Sequence, residues 1–98
     1  MQIDVNVEGN EVTIIPRDII DFTSAPELEK VIEEEASKSQ RMVIDMGEVP
    51  YISSAGLRAI LLADNLMDDK SGFALKNVNS SVKELLNISG FTDELDIE

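Results

Sequence analysis

Between Arg41 and Asn65 the chain passes from an apolar run through a short loop to an amphipathic segment, with two adjacent serines at the junction. Met42-Val43-Ile44-Asp45-Met46 is apolar except at Asp45, the pattern of a strand covered on both sides and therefore central in its sheet. Gly47 and Pro50 punctuate the connection, and a helix is predicted over about residues 54–69. Strands joined through helices run parallel with right-handed crossovers, so this stretch sets the architecture around it. Ser54 stands where the helix begins. A hydroxyl there is either a helix cap or a chemical handle.

The flanking segments fit the same plan. Ile3, Val5 and Val7 alternate with Asp4 and Asn6, the period of a half-buried strand. Glu8-Gly9-Asn10-Glu11 is a turn and Val12-Thr13-Ile14-Ile15 the return strand of a hairpin, ended by Pro16. Ser24 with Glu27 fits a capping box, and Pro26 suits the first helical turn. That helix runs to about Ser39, with Leu28, Val31, Ile32 and Ala36 as its apolar stripe. Glu33-Glu34-Glu35 points in three directions and reads as a solvated face, not a metal cluster. Gly72-Phe73-Ala74-Leu75-Lys76 is a further strand. Ser81 with Glu84 is a second capping-box pattern, starting a short helix closed by Gly90, with Phe91 packing back on it. In the tail, Asp93 to Glu98, Leu95 and Ile97 alternate as an edge strand would, unless the tail frays. The order β-β-α-β-α-β-α-(β) gives an α/β fold with a mixed β-sheet, its first strand antiparallel to the second. The 98 residues, 1–98, are expected to form one domain.

Composition narrows the function. Hydrophobic residues make up 43% and aromatic ones 4%, so the core is aliphatic. No apolar run approaches the roughly 20 residues of a membrane span, and the start lacks the pattern of a signal peptide. Cysteine is absent, which removes disulfides and thiolate metal sites. A cytoplasmic location is the default expectation. The net charge of -12 argues against nucleic acid and anionic membrane as partners. It serves solubility, or attraction to a basic protein partner.

Enzymatic readings fail on inventory. There is no histidine for a Ser-His-Asp arrangement or an imidazole ligand. No phosphate-binding or dinucleotide-binding glycine motif is present. Asp18 and Asp21, or Asp68 and Asp69, are close pairs, but nothing in the sequence buries them, and with 20 acidic residues such pairs arise by chance. The expectation is no catalytic residue, no metal and no cofactor.

Projected at about 100° per residue, the second helix turns Ala59, Ile60, Leu62, Ala63, Leu66 and Met67 toward the sheet. Leu57 and Leu61 fall among Arg58, Asp64, Asn65, Asp68 and Asp69 on the other side, and Ser54 shares that sector. The sequence thus predicts a solvent-facing strip of Ser54, Leu57, Arg58, Leu61 and Asn65. Either a neighbouring helix covers the two leucines or they form a partner surface. As a cap, Ser54 would contribute about 1 kcal/mol. As a phosphoacceptor it would gain about -1.5 to -2 charges, which the free N–H groups of a helix start accommodate. The fold would survive that change. A partner seated over Leu57 and Leu61 would not, because a buried unpaired charge is costly.

Tyr51-Ile52-Ser53-Ser54-Ala55-Gly56-Leu57-Arg58, behind the Met42–Met46 strand, resembles the STAS domain signature of anti-sigma factor antagonists, in which an apolar strand and short loop lead to Asp-Ser-Ser/Thr-Gly-Leu opening a helix. Asp21-Phe22-Thr23-Ser24-Ala25-Pro26-Glu27-Leu28 and Asn87-Ile88-Ser89-Gly90-Phe91 resemble the family's segments before its first long helix and at the end of its third. The likeness spans essentially the whole chain. It implies a non-enzymatic switch: the unphosphorylated protein binds an anti-sigma factor that is also a serine kinase, a sigma factor is freed, and a serine phosphatase reverses the kinase. The phosphoacceptor position corresponds to Ser54, two residues before Gly56. Ser53 stands where the commonest motif has aspartate, which makes it the alternative acceptor, and Ala55 replaces the following Ser or Thr. The projected strip and the resemblance together give the expected partner-binding set: Asp21, Ser53, Ser54, Gly56, Leu57, Arg58, Leu61 and Asn65. The same departures motivate an alternative, a STAS adaptor subunit of a lipid-transport or sensory complex that works without phosphorylation.

Overall fold

A computed structural model describes residues 1–91 and 95–98. The chain order is β1 (Gln2–Glu8), β2 (Glu11–Arg17), α1 (Ala25–Ala36), β3 (Arg41–Asp45), α2 (Ser54–Leu66), β4 (Gly72–Lys76), α3 (Ser80–Ile88) and β5 (Asp96–Ile97). The sheet has the spatial order β1-β2-β3-β4-β5, with β1 antiparallel to β2 and all later neighbours parallel. The expected mixed sheet and its element order are both present. The tail adds an edge strand at Asp96–Ile97, while Asp93 and Glu94 lie outside the described residues.

Strand parity explains the core. Val12 and Ile14 of β2, Met42 and Ile44 of β3, and Phe73 and Leu75 of β4 join one buried cluster with residues of all three helices. Val43 and Ala74, at the alternate positions, are buried outside that cluster, so the central strand is buried on both faces, as a continuous apolar run requires. Parallel strands laid down in sequential order with right-handed crossovers put α1, α2 and α3 on the same face. The other face is polar around β2: Arg41 bridges Glu11 at 3.3 Å and Glu98 at 3.0 Å, and Arg17 holds Asp4 at 2.7 Å.

Helix α1 buries Ala25, Leu28, Ile32 and Ala36, with Val31 packed partly against the core, while Glu33 and Glu34 are exposed. Lys70, in the turn after α2, donates from Nζ to the carbonyls of Ala36 and Ser39, satisfying the end of α1. Neither expected capping box forms. Ser24 stands at the N-cap of α1 in helical conformation and makes no cap hydrogen bond; its Oγ accepts instead from the Asp21 N–H at 3.0 Å and its hydroxyl donates back to Ile19 O at 3.0 Å. Helix α3 begins at Ser80, earlier than the Ser81 pattern implied, and Asn79 caps it by accepting from the Val82 N–H at 2.9 Å. At the other end Gly90, at φ +80°, closes the helix as expected, and the Phe91 N–H donates to Leu86 O at 3.0 Å.

Candidate functional site: the start of α2 at the carboxyl ends of the strands

Three loops meet where β2, β3 and β4 end. The loop after β2 and the loop before α2 form a single parallel bridge, Ile20 with Ile52. The Ile20 N–H donates to Tyr51 O at 3.2 Å and the Ser53 N–H to Ile20 O at 2.9 Å, while the Asp18 N–H reaches Glu48 O at 3.0 Å. From the third loop, Asn79 donates through Nδ2 to Val49 O at 3.1 Å and Pro50 O at 3.2 Å. These bonds fix the approach to α2 from both sides. Gly56 lets the helix sit close: a Cβ there would lie 2.8 Å from Ile20 O and 2.9 Å from Ile52 Cβ.

The two serines divide the roles that the sequence left open. Ser53 is the N-cap of α2, extended in backbone, and its Oγ accepts from the Ala55 N–H at 3.2 Å. Ser54 is the first helical residue, exposed, and its hydroxyl has no hydrogen-bond partner among the described residues. The cap reading of Ser54 is therefore corrected to Ser53. The helix itself stops at Leu66, short of the expected Asp69, with Met67 as its C-cap.

The predicted strip is partly assembled. Arg58 and Asn65 are exposed, and Arg58 has no carboxylate partner among the described residues. Leu57 is half-buried and packs against the core, whereas Leu61 is half-buried without joining it. At about 1.5 Å per residue, Leu61 stands about 10 Å along the helix from Ser54 and Asn65 about 16 Å. Asn65 is thus not brought to the serine. Asp21 follows Ile20, whose carbonyl accepts from the Ser53 N–H, so its loop adjoins the helix start. Its Oδ1 accepts from the Thr23 hydroxyl at 2.6 Å and from the Thr23 and Ser24 N–H groups at 2.9 and 3.1 Å. The Thr23 hydroxyl first, then these amides, hold the Asp21 carboxyl below the ordinary carboxylate range.

Sequence reasoning overlooked three apolar side chains in the same loops. Phe22 is 78% exposed, Tyr51 53% and Ile19 42%. The Ile20–Ile52 bridge makes Ile19 and Tyr51 neighbours in the paired loops. The available signal was a large apolar residue set among turn formers, as in Asp21-Phe22-Thr23.

Comparison with known proteins agrees with this architecture. The STAS domain family model matches residues 2–98. The Bordetella bronchiseptica protein BtrV, named as a candidate anti-sigma factor antagonist, is 36% identical over 75 residues, which span 74% of this chain and 65% of that relative's length. Among solved structures, an anti-sigma factor antagonist from Mycobacterium paratuberculosis superposes with a TM-score of 0.89 at 18% identity, over 98% of this chain and 83% of that one. The anti-sigma factor antagonist SpoIIAA in its unphosphorylated form gives 0.83 at 13% identity, over 99% and 88%. At such identities the structures speak for the fold, and the family match speaks for descent: the chain belongs to the STAS domain family.

Proposed function

We propose that this chain is an anti-sigma factor antagonist, a non-enzymatic binding switch. Its unphosphorylated form binds an anti-sigma factor with serine kinase activity and thereby frees a sigma factor in the cytoplasm. Phosphorylation of Ser54 ends the binding and a serine phosphatase restores it. The observation that carries the reading is the division of labour at the start of α2: Ser53 caps, so the exposed Ser54 hydroxyl is left without a structural task. The name of the Bordetella relative and the SpoIIAA fold support the same class.

A phosphate at Ser54 adds about -1.5 to -2 charges beside the free N–H groups of the first turn, which tolerate it. The contact surface of the reading is Asp21, Ser53, Leu57, Arg58 and Leu61 around Ser54, with Asn65 at its far margin; Gly56, expected in this set, is buried against Ile20 and Ile52 and supports the surface from beneath. Incubation with the cognate anti-sigma kinase and ATP tests it. Mass spectrometry is expected to show one added phosphate, absent in Ser54→Ala and retained in Ser53→Ala. Phosphate retained in Ser54→Ala and lost in Ser53→Ala would move the acceptor to Ser53. A Ser54→Glu variant that binds its partner normally would instead favour an adaptor that works without phosphorylation.

A further inference from the structure

The outer edge of β1 carries backbone groups that the fold leaves unpaired. The Asn10 carbonyl accepts from the Gln40 and Arg41 N–H groups, so even-numbered residues of β2 address β3 and odd-numbered ones address β1. Asp4 lies opposite Ile15, Asn6 opposite Thr13 and Glu8 opposite Glu11. Even-numbered residues of β1 therefore exchange bonds with β2, and Ile3, Val5 and Val7 turn their N–H and C=O groups outward. Pro16 fits this phase, since it faces Ile3 and owes β1 no hydrogen bond.

The side chains of this edge are unusual for an unprotected one. Edge strands are ordinarily blunted by charged side chains, above all lysine, by proline, a bulge or shortness, and the charges of β1, Asp4 and Glu8, are both on the face away from the valines. β1 has seven residues with no lysine and no proline. Val5 and Val7 are paired with the core residues Ile14 and Val12, yet they remain 42% and 56% exposed. They extend the apolar helix-side face beyond the reach of α1. Asp4, Asn6 and Glu8 lie on the opposite face.

We infer that β1 pairs antiparallel with β1 of a second copy of this chain, about a two-fold axis through Val5. The order of carboxylates and carboxamides along β1 is self-complementary about Val5, which argues for a second copy of the same strand and selects the register. With the axis at Val5, all seven residues pair. Val5 meets Val5, Ile3 meets Val7, Asp4 meets Asn6 and Gln2 meets Glu8, so each carboxylate faces a side-chain amide that can donate to it. Ile3, Val5 and Val7 of both copies occupy the hydrogen-bonded positions, which is what their outward amides require. An axis at Asp4 sets two carboxylates against each other, and an axis at Asn6 sets Asp4 against Glu8 twice; both are disfavoured. The product is one continuous sheet with an unbroken valine and isoleucine row. Seven residues a side make a small contact, so the dimer is weak and concentration-dependent. With -12 on each copy, it also tightens as salt screens the long-range repulsion.

Sedimentation velocity on the full chain, from micromolar to millimolar, tests this. The expected mass rises from 10.8 kDa toward twice that value with concentration. It rises further when NaCl goes from about 0.05 to about 0.5 M, which cuts the Debye length severalfold. Hydrogen exchange is expected to show new protection at the Ile3, Val5 and Val7 amides in the concentrated sample, against the already protected Asp4 and Asn6. Asn6→Asp, which opposes two carboxylate pairs, should weaken the dimer most at low salt. Asn6→Lys should strengthen it beyond Gln40→Lys, which makes the same charge change away from β1. A monomer at every concentration and salt overturns the inference. So does a dimer whose odd-numbered β1 amides stay unprotected, or one that ignores both Asn6 variants. A monomer whose β1 edge instead captures an extended peptide assigns the edge to a foreign strand and equally overturns self-pairing.

Discussion

The backbone of Gly56 in α2 lies so close to Ile20 that a methyl group on it would stand 2.8 Å from the Ile20 carbonyl oxygen. Alanine in a helix interior ordinarily gains about 1 kcal/mol over glycine. Here the obstructing atoms are a backbone oxygen and Ile52 Cβ, neither of which can swing away. Overpacking of this kind costs about 1–3 kcal/mol. Gly56→Ala is therefore expected to lower stability in spite of the better helix former, and to loosen the Ile20–Ile52 bridge. Urea denaturation reads the first effect and exchange of the Ser53 amide, which donates to Ile20, reads the second. A stabilised variant would contradict the packing.

Ser53 and Ser54 are adjacent and chemically identical, yet their removal should have different consequences. Ser53→Ala deletes the acceptor for the Ala55 N–H and should cost about 1 kcal/mol. Ser54→Ala deletes an exposed hydroxyl with no partner among the described residues and should stay within about 0.5 kcal/mol of the parent. Thermal melts of the two variants side by side decide it. Equal losses would mean that the capping role is shared.

The element order was legible because strand and helix periods are local. The alternation at Ile3-Val5-Val7, the apolar run Met42–Met46 and the stripes of α1 and α2 each state their own structure. The caps were less legible because spacing does not determine where a hydroxyl points. Ser24-x-x-Glu27 has the capping-box spacing, but the Ser24 hydroxyl turns back to Ile19 O, and Glu27 meets the Met1 amino group at 2.7 Å instead. Asn79 caps α3 because the helix starts two residues before the Ser81 pattern suggests. The bridge between Ile20 and Ile52 joins loops far apart in sequence and leaves no local trace. Without it, the serines could be assigned to a helix start, but the neighbours of that start could not be named.

Leu57 and Leu61 separate stability from binding. Leu57 packs against the core and Leu61 does not, although both lie on the Ser54 side of α2. Leu57→Ala should cost about 1–2 kcal/mol, less than the 2–5 of a fully buried leucine, and Leu61→Ala under about 1. If the proposed partner seats on this strip, Leu61→Ala should still weaken the complex about tenfold, equivalent to about 1.4 kcal/mol. Calorimetric titration against the anti-sigma factor, paired with melting of the free variant, measures both numbers. Unchanged affinity in Leu61→Ala would take this strip out of the interface.

Asn79 works at two places at once, capping α3 through Oδ1 and holding the Val49 and Pro50 carbonyls through Nδ2. Asn79→Asp keeps the acceptor and loses the donor; Asn79→Ala loses both. The alanine variant should fall by about 1–2 kcal/mol through the lost cap alone. The aspartate variant should keep α3 yet free the 49–50 loop, and so disturb the approach to Ser54 from a distance. Amide exchange in residues 51–53, compared between the two variants, distinguishes a helix effect from a loop effect. Identical exchange in both would show that the loop does not depend on the side-chain amide.

Asp21 gives the site a pH dependence of definite sign. Its folded carboxyl titrates below the ordinary value because the charged form accepts from the Thr23 hydroxyl and the Thr23 and Ser24 amides. The unfolded chain therefore binds this proton more readily, and the stability it contributes is complete above the unfolded value of about 3.9. It is lost as the pH falls through the lower folded value. Asp21→Ala should melt below the parent across the neutral range, with the gap closing in strong acid. Asp21→Asn, which keeps an oxygen acceptor but no charge, should recover part of the difference at neutral pH and none of its acid dependence. Carboxyl chemical shifts followed by NMR give the titration directly, and a midpoint at or above the ordinary aspartate value would remove the role of the Thr23 hydroxyl in stabilising the charged Asp21 carboxyl.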